Sequence, residues 1–174
     1  MDTALTSLHT NFKLSKSGEE IGIYNFNGEL GDSLVFRDQL TDITYGKKND
    51  ESSDCFYFYN PTAYDTNLSI GYQNNLRSSI PHPNIPGGLY NSSQIITLNF
   101  NDNESVIYYS IDGSKPNLES QIYSQSLFID STTVLKTILV QDGLIPSQIN
   151  TNSYILNHQS SMPVISISTD SSYL

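Results

Sequence analysis

The side chains able to do chemistry are few and scattered. The chain has three histidines, His9, His82 and His158, and one cysteine, Cys55. The histidines fall in terminal or linker-like segments, so no Cys/His nucleophilic pair is expected. A lone cysteine can neither close an internal disulfide nor supply zinc-ligand spacing. Its setting, Cys55-Phe-Tyr-Phe-Tyr59, suits a small buried residue in a strand. Serines are plentiful, but there is no Gly-x-Ser-x-Gly elbow and no glycine-rich phosphate loop. Gly87-Gly88 follows a proline and leads into a strand pattern, which offers an anion no helix N-terminus.

Two acidic features could carry chemistry. Asn101-Asp-Asn-Glu104 carries the hard oxygens calcium prefers, but without the spacing of a calcium loop. Asx-rich turns between strands account for it, because their side chains bond to local backbone. Asp112 could serve as one of a pair of hydrolytic carboxylates, yet it precedes Gly113 at a strand-to-turn boundary, where Asp is favoured for geometry. No catalytic residue, metal ligand or cofactor is expected. What remains is stacking. Tyr is abundant at 12 and Trp is absent. Tyr90, Tyr108 and Tyr123 are the candidate carbohydrate contacts, set against the alternative that a strand tyrosine packs in or beside a core. Three Asn-x-Ser sequons, at Asn67, Asn91 and Asn103, are matches that this Asn- and Ser-rich composition produces by chance.

The elements that must position these residues read as strands. At 174 residues the chain can form one domain or two small ones. Tyr, Ile and Thr suit pleated surfaces, while Asn, Ser and Gly supply turns. Eight Lys and Arg and a net charge of −10 exclude clustered phosphate contacts, so no nucleic acid is expected as partner, and an anionic membrane surface is disfavoured. No window approaches the roughly 20 apolar residues of a membrane span. The start of the chain lacks the basic, apolar pattern of a signal peptide.

Alternation predicts strands over 11–16, 19–26 and 32–37, with Asn27-Gly28 as a hairpin turn and Leu34 and Phe36 on one face. Lys47 to Asp54 is a charged loop before the strand at Cys55. Residues 68–86, with Pro81, Pro83 and Pro86, read as a linker. Further strands follow: 93–100, with Ile96, Leu98 and Phe100 on one face; 106–111, with Ile107, Tyr109 and Ile111 inward; one or two within 121–129; 133–140; and 149–156. Turn signals about ten residues apart are typical of a β-sandwich.

Three resemblances are carried by specific residues. Phe12-Lys-Leu-Ser-Lys-Ser-Gly18, Gly31-Asp32, Thr44-Tyr-Gly46, Pro61-Thr62 and Asn67 follow the order seen in the second half of lamin-tail-like domains, which are immunoglobulin-like sandwiches. That family usually has Pro-Gly where Ala63-Tyr64 stand here and a Trp near Phe56, and its first strands are missing. The resemblance implies a partial domain over 1–67, with an exposed sheet edge open to self-association. Pro86-Gly-Gly-Leu-Tyr90, Ile107-Tyr-Tyr-Ser-Ile-Asp-Gly-Ser-Lys-Pro116, Tyr123-Ser124, Thr133-Val-Leu-Lys-Thr137, Gly143, Pro146-Ser147 and Tyr154 resemble the chitobiase/β-hexosaminidase C-terminal domain family. This implies a non-catalytic immunoglobulin-like sandwich over 87–157, appended to larger secreted proteins. Met162-Pro-Val-Ile-Ser-Ile-Ser-Thr-Asp170 resembles the opening strand of the spore coat protein H (CotH) family, many of whose members resemble atypical kinases. None of that family's nucleotide- or metal-binding residues is present.

The expectation is therefore an all-β chain in four parts: a partial β-meander or half sandwich (1–67), a linker (68–86), an immunoglobulin-like sandwich (87–157) and the start of a CotH-like domain (158–174). Its expected role is that of an accessory or spacer module of an exported or surface protein, with neighbouring domains as partners. The alternative is a carbohydrate-binding module whose partner is a polysaccharide or surface protein. A weaker alternative is part of a CotH-like kinase.

Overall fold

The computed structural model describes residues 12–49, 51–62, 65–100, 104–159 and 162–169, and among them every regular element is a strand. The chain divides into two compact units, Met1–Gln73 and Asn74–Leu174.

The first unit opens with an antiparallel hairpin of β1 (Glu19–Tyr24) and β2 (Leu30–Phe36). Asn25 closes it by accepting the N–H groups of Asn27 and Glu29 on Oδ1, each at 2.9 Å. Gly28 takes φ +80°, as the Asn-Gly signal requires. Leu34 and Phe36 turn inward and Val35 outward, in the predicted alternation. The strand expected over 11–16 does not form along its described part. Ser15 N–H instead binds the Glu19 carboxylate at 2.6 Å, and the Lys16 carbonyl accepts from Gln39. A second sheet orders β3 (Thr44–Lys47), β4 (Cys55–Phe58) and β5 (Gly71–Tyr72). Cys55 is half-buried. Lys47 bridges from β3 to Asp32 of β2 at 2.7 Å. Its ammonium, followed by the Ser33 N–H, holds the Asp32 carboxyl below the usual carboxylate range.

Among the described residues, the first unit's buried apolar set is Phe36, Ile43, Tyr57 and Phe58. Ile23, Tyr24, Leu30 and Val35 stay exposed, and Phe26 at the hairpin tip is 97% exposed. Among the described residues no layer covers these side chains.

The second unit is an immunoglobulin-like β-sandwich. Its strands are β6 (His82–Pro83), β7 (Gly88–Tyr90), β8 (Gln94–Ile96), β9 (Leu98–Asn99), β10 (Val106–Ser110), β11 (Gln121–Ile122), β12 (Leu127–Ile129), β13 (Thr133–Val140) and β14 (Asn150–Leu156). One layer orders β11-β10-β13-β14-β7, antiparallel except for β14 with β7. The other layer is built from the pairs β12–β8 and β9–β6. Ile96, Leu98, Ile107, Ile129, Leu135, Leu139, Tyr154 and Leu156 fill the space between. Each large apolar side chain removed from water contributes about 1.5–3 kcal/mol.

Four expectations meet a different outcome. The strand expected over 93–100 is interrupted at Thr97, whose N–H turns to Asn84 Oδ1 at 2.7 Å, and Phe100 is 39% exposed. Ile111 is half exposed, because β10 ends at Ser110 where the turn begins. Residues 68–86 are structured. Gly71–Tyr72 pair in the first unit, while Ser78 N–H donates to the Ile145 carbonyl, Ile145 N–H to Leu76, and Asn150 Nδ2 to Pro81 at 2.7 Å. Proline removes a donor but keeps its carbonyl acceptor, and Pro81 is used in that way while fully buried. The strand expected over 162–170 joins no ladder along its described residues.

Gly87 lies tight against β14. A Cβ built there would stand 2.9 Å from Ser153 N and 3.0 Å from Ser153 O, both backbone atoms in the sheet. Gly87→Val is expected to lower the stability of the second unit by about 1–3 kcal/mol, read from denaturant unfolding. An unchanged midpoint would mean that β7 does not sit against β14.

Candidate functional site

The stretch Val106–Asn117 divides its labour between core and turn. In β10, Ile107 is buried and Tyr109 packs beside it, while Tyr108 points to the opposite face, paired across to Ile138 and Ile122. Asp112 then caps its own turn. Its Oδ1 accepts from Ser114 N–H at 3.0 Å and from Ser114 Oγ at 2.6 Å, and Gly113 follows at φ +82°. Ser110 Oγ donates to the Ser114 carbonyl at 2.6 Å, and Pro116 is buried. The carboxylate's geometry is that of an Asx turn, with its oxygen directed into the loop.

The three candidate tyrosines do not converge. Tyr90 packs against the core from β7, and its hydroxyl donates to the Pro86 carbonyl at 2.6 Å. Tyr123 packs against the core near the far edge of the sheet, where its hydroxyl oxygen accepts from Leu98 N–H at 3.1 Å. Strands β13 and β14 separate β10 from β7, about 14 Å at normal strand spacing. Tyr108 is half-buried on the other face. Of the acidic turn at 101–104, Asn101 to Asn103 lie outside the described residues.

Two surface features were not anticipated from the sequence. One is an open groove of about 430 Å³ along the parallel edge. Pro86 to Leu89 and Thr151 to Ser153 form its walls, with Ile155, Val164 and Ser166. The chain beyond β14 therefore runs beside β7 and β14, and Ser168 Oγ comes within 3.9 Å of a Cβ placed on Gly113. Val164 and Ser166 face the groove, while Ile165 and Ile167 are 86% and 88% exposed. The other feature is an outward apolar pair, Phe128 and Ile95, opposite each other in β12 and β8. The signal for it lay in Leu127-Phe-Ile129: if the outer two residues turn inward, the middle one faces out.

Tyr154 shows how tightly the parallel edge is held. It is fully buried, its hydroxyl donates to the Ile85 carbonyl at 2.8 Å, and its ring lies 6.2 Å from that of Tyr90. Burial, with Tyr90 adding, pushes its phenol up to about 12. An acid whose folded pKa is raised holds its proton more tightly in the fold. That contribution is complete below about pH 10 and is lost as pH rises towards 12. Tyr154→Phe is expected to cost about 1–3 kcal/mol at neutral pH, since the Ile85 carbonyl loses its donor. The variant's stability should also decline less steeply than wild type between pH 10 and 12. Denaturant unfolding across that range measures both.

Residues 85–151 match the family described as the chitobiase/beta-hexosaminidase C-terminal domain. The match covers less than half of the chain and starts and ends a few residues before the boundaries expected from the sequence. No curated protein and no solved structure matches the chain.

Proposed function

We propose that this chain is a non-catalytic accessory module of a larger exported or cell-surface protein, and that it presents a neighbouring domain. The observation that carries this reading is the segment after β14. It lays Val164 and Ser166 along the sandwich and leaves Ile165 and Ile167 bare at alternating positions. An extended segment with one face on a sheet and an apolar face in water is half of a packing arrangement that a further layer would complete. The resemblance of Met162–Asp170 to the opening strand of a CotH-like domain supplies the chemistry of that layer.

Other features support the same reading. The matched family is named for a C-terminal domain of hydrolases, and the most acid-like candidate, Asp112, is engaged in its turn. In the first unit, Ile23, Tyr24, Phe26 and Val35 on a two-stranded hairpin support contact with a neighbouring domain or a second copy.

An antibody raised against the 174-residue chain tests this on the protein in its source cells. The expected result is a polypeptide well above 19.4 kDa in the surface or secreted fraction. A band at the mass of this chain, confined to the cell interior, would contradict the reading.

A further inference from the structure

We propose that the outward face of the β8–β12 pair is a binding platform for one or two units of a neutral, β-linked hexopyranose chain. Leu127 and Ile129 of β12, and Ile96 of β8, turn towards the core. Phe128 and Ile95 are directly opposed on the other face and remain 65% and 60% exposed. Beside them, Thr97 Oγ1 and Ser126 Oγ form a hydroxyl pair at 3.3 Å. Exposed Ser93 and Asp130 flank the other end of the pair. An aromatic ring and a branched aliphatic side chain thus form a small flat centre, with polar groups on both sides.

The size and charge of this face define its occupant. Phe128 and Ile95 together offer on the order of 200 Å² of apolar surface, against the roughly 800 Å² per partner that a stable protein interface buries. The occupant is therefore small or narrow. Residues 93–97 and 126–129 contain no charged side chain, and the chain carries a net charge of −10. An anionic ligand would meet no cation on these two segments and an unfavourable overall field. A neutral pyranose whose substituents are equatorial has the complementary shape. Its axial C–H groups form an apolar face that fits the negative face of an aromatic ring, and its hydroxyls radiate at the rim. In the Thr97–Ser126 pair one hydroxyl donates to the other, which leaves one hydrogen and free lone pairs for a sugar hydroxyl. β-Linkage between equatorial positions keeps successive ring faces in a ribbon, as a shallow open face requires.

The backbone beneath is held firmly. Thr97 N–H is bound by Asn84 Oδ1, and Asn84 Nδ2 reaches the Ile95 carbonyl at 3.4 Å. The Ile96 and Ile129 side chains below are almost fully buried. The platform is therefore preformed, and little ordering entropy is lost on binding. This site lies on the outward face of the β8–β12 pair, whereas Tyr90 and Tyr123 pack against the core, and it does not depend on the presenting role of the segment after β14.

The test is an NMR titration of the ¹⁵N-labelled 174-residue chain with cellohexaose, chitohexaose and, as an α-linked control, maltohexaose. The expected result is saturable shifts at the amides of 94–98 and 126–129 with at least one β-linked hexasaccharide, and weaker shifts with maltohexaose. Phe128→Ala should weaken that binding about tenfold or more, as truncation of an aromatic anchor does. Phe128→Tyr should retain it, and Ile95→Thr, which keeps a β-branched side chain in the strand, should weaken it less than Phe128→Ala does. Because Phe128 is exposed, its variants should unfold within a few degrees of wild type. The proposal is overturned if neither β-linked sugar produces shifts, if the shifts centre on Tyr108 or the groove by Gly87, or if Ile95→Thr and a folded Phe128 variant both bind as wild type does. Any of these outcomes would leave the accessory role standing.

Discussion

β13 is the middle strand of a five-stranded layer and is closed to water on both faces from Leu135 to Leu139. Leu135 and Leu139 enter the sandwich core, while Lys136 and Ile138 are buried on the opposite side. A strand buried on both faces must have its whole backbone paired, since an unpaired buried amide costs a few kcal/mol. The neighbouring elements meet that demand. β10 pairs with it from Val106 to Ser110, and β14 from Asn150 to Tyr154. Ahead of the start of β14, the Leu139 N–H is taken by Ser147 Oγ and its carbonyl by Ser147 N–H, each at 2.9 Å. Ile145, two residues before, then ties Leu76 and Ser78 into the same layer. The chain ahead of the sandwich is thereby made part of it.

Much of this architecture was legible in the residues. The run Thr133–Val140 reads as a strand, although Lys136 and Thr137 gave no sign that both of its faces would be buried, and Asp112-Gly113 and Asn27-Gly28 mark turns whose positive φ only a few residues tolerate. Elsewhere the pattern was ambiguous for identifiable reasons. Residues 68–86 read as a linker because their prolines end a ladder from the donor side. The stretch is held instead by its carbonyls and by amides between the prolines, which a residue-type pattern does not reveal. Ile111 read as inward because alternation continued past Ser110, whereas the Asx turn at Asp112 had already redirected the chain. Tyr90 and Tyr123 were legible as aromatic and not as anchors, because the Pro86 carbonyl and the Leu98 amide that hold them are distant in sequence or outside any ladder.

Several polar side chains are engaged in holding the fold: Asp112 in its turn, Tyr154 and Asn150 at the parallel edge, Ser147 beside Leu139 of β13. Some of what the sandwich leaves to solvent is apolar. Phe128 and Ile95 stand on one layer, and Ile165 and Ile167 on the segment beyond β14. Apolar groups exposed on a sheet suit recognition and docking, which is compatible with the accessory role proposed for a chain that matches the chitobiase/beta-hexosaminidase C-terminal domain over 85–151.

The claim on which the rest depends is that residues 76–86 and the β13-centred sheet form one cooperative body. Native-state hydrogen exchange tests it directly. The account predicts that the amides of Leu135 to Leu139 exchange only through global unfolding, and that those of Ser78 and Ile145 share most of that protection. If Ser78 and Ile145 exchange at the rate of an open loop while β13 stays protected, the stretch is a linker and the account is contradicted.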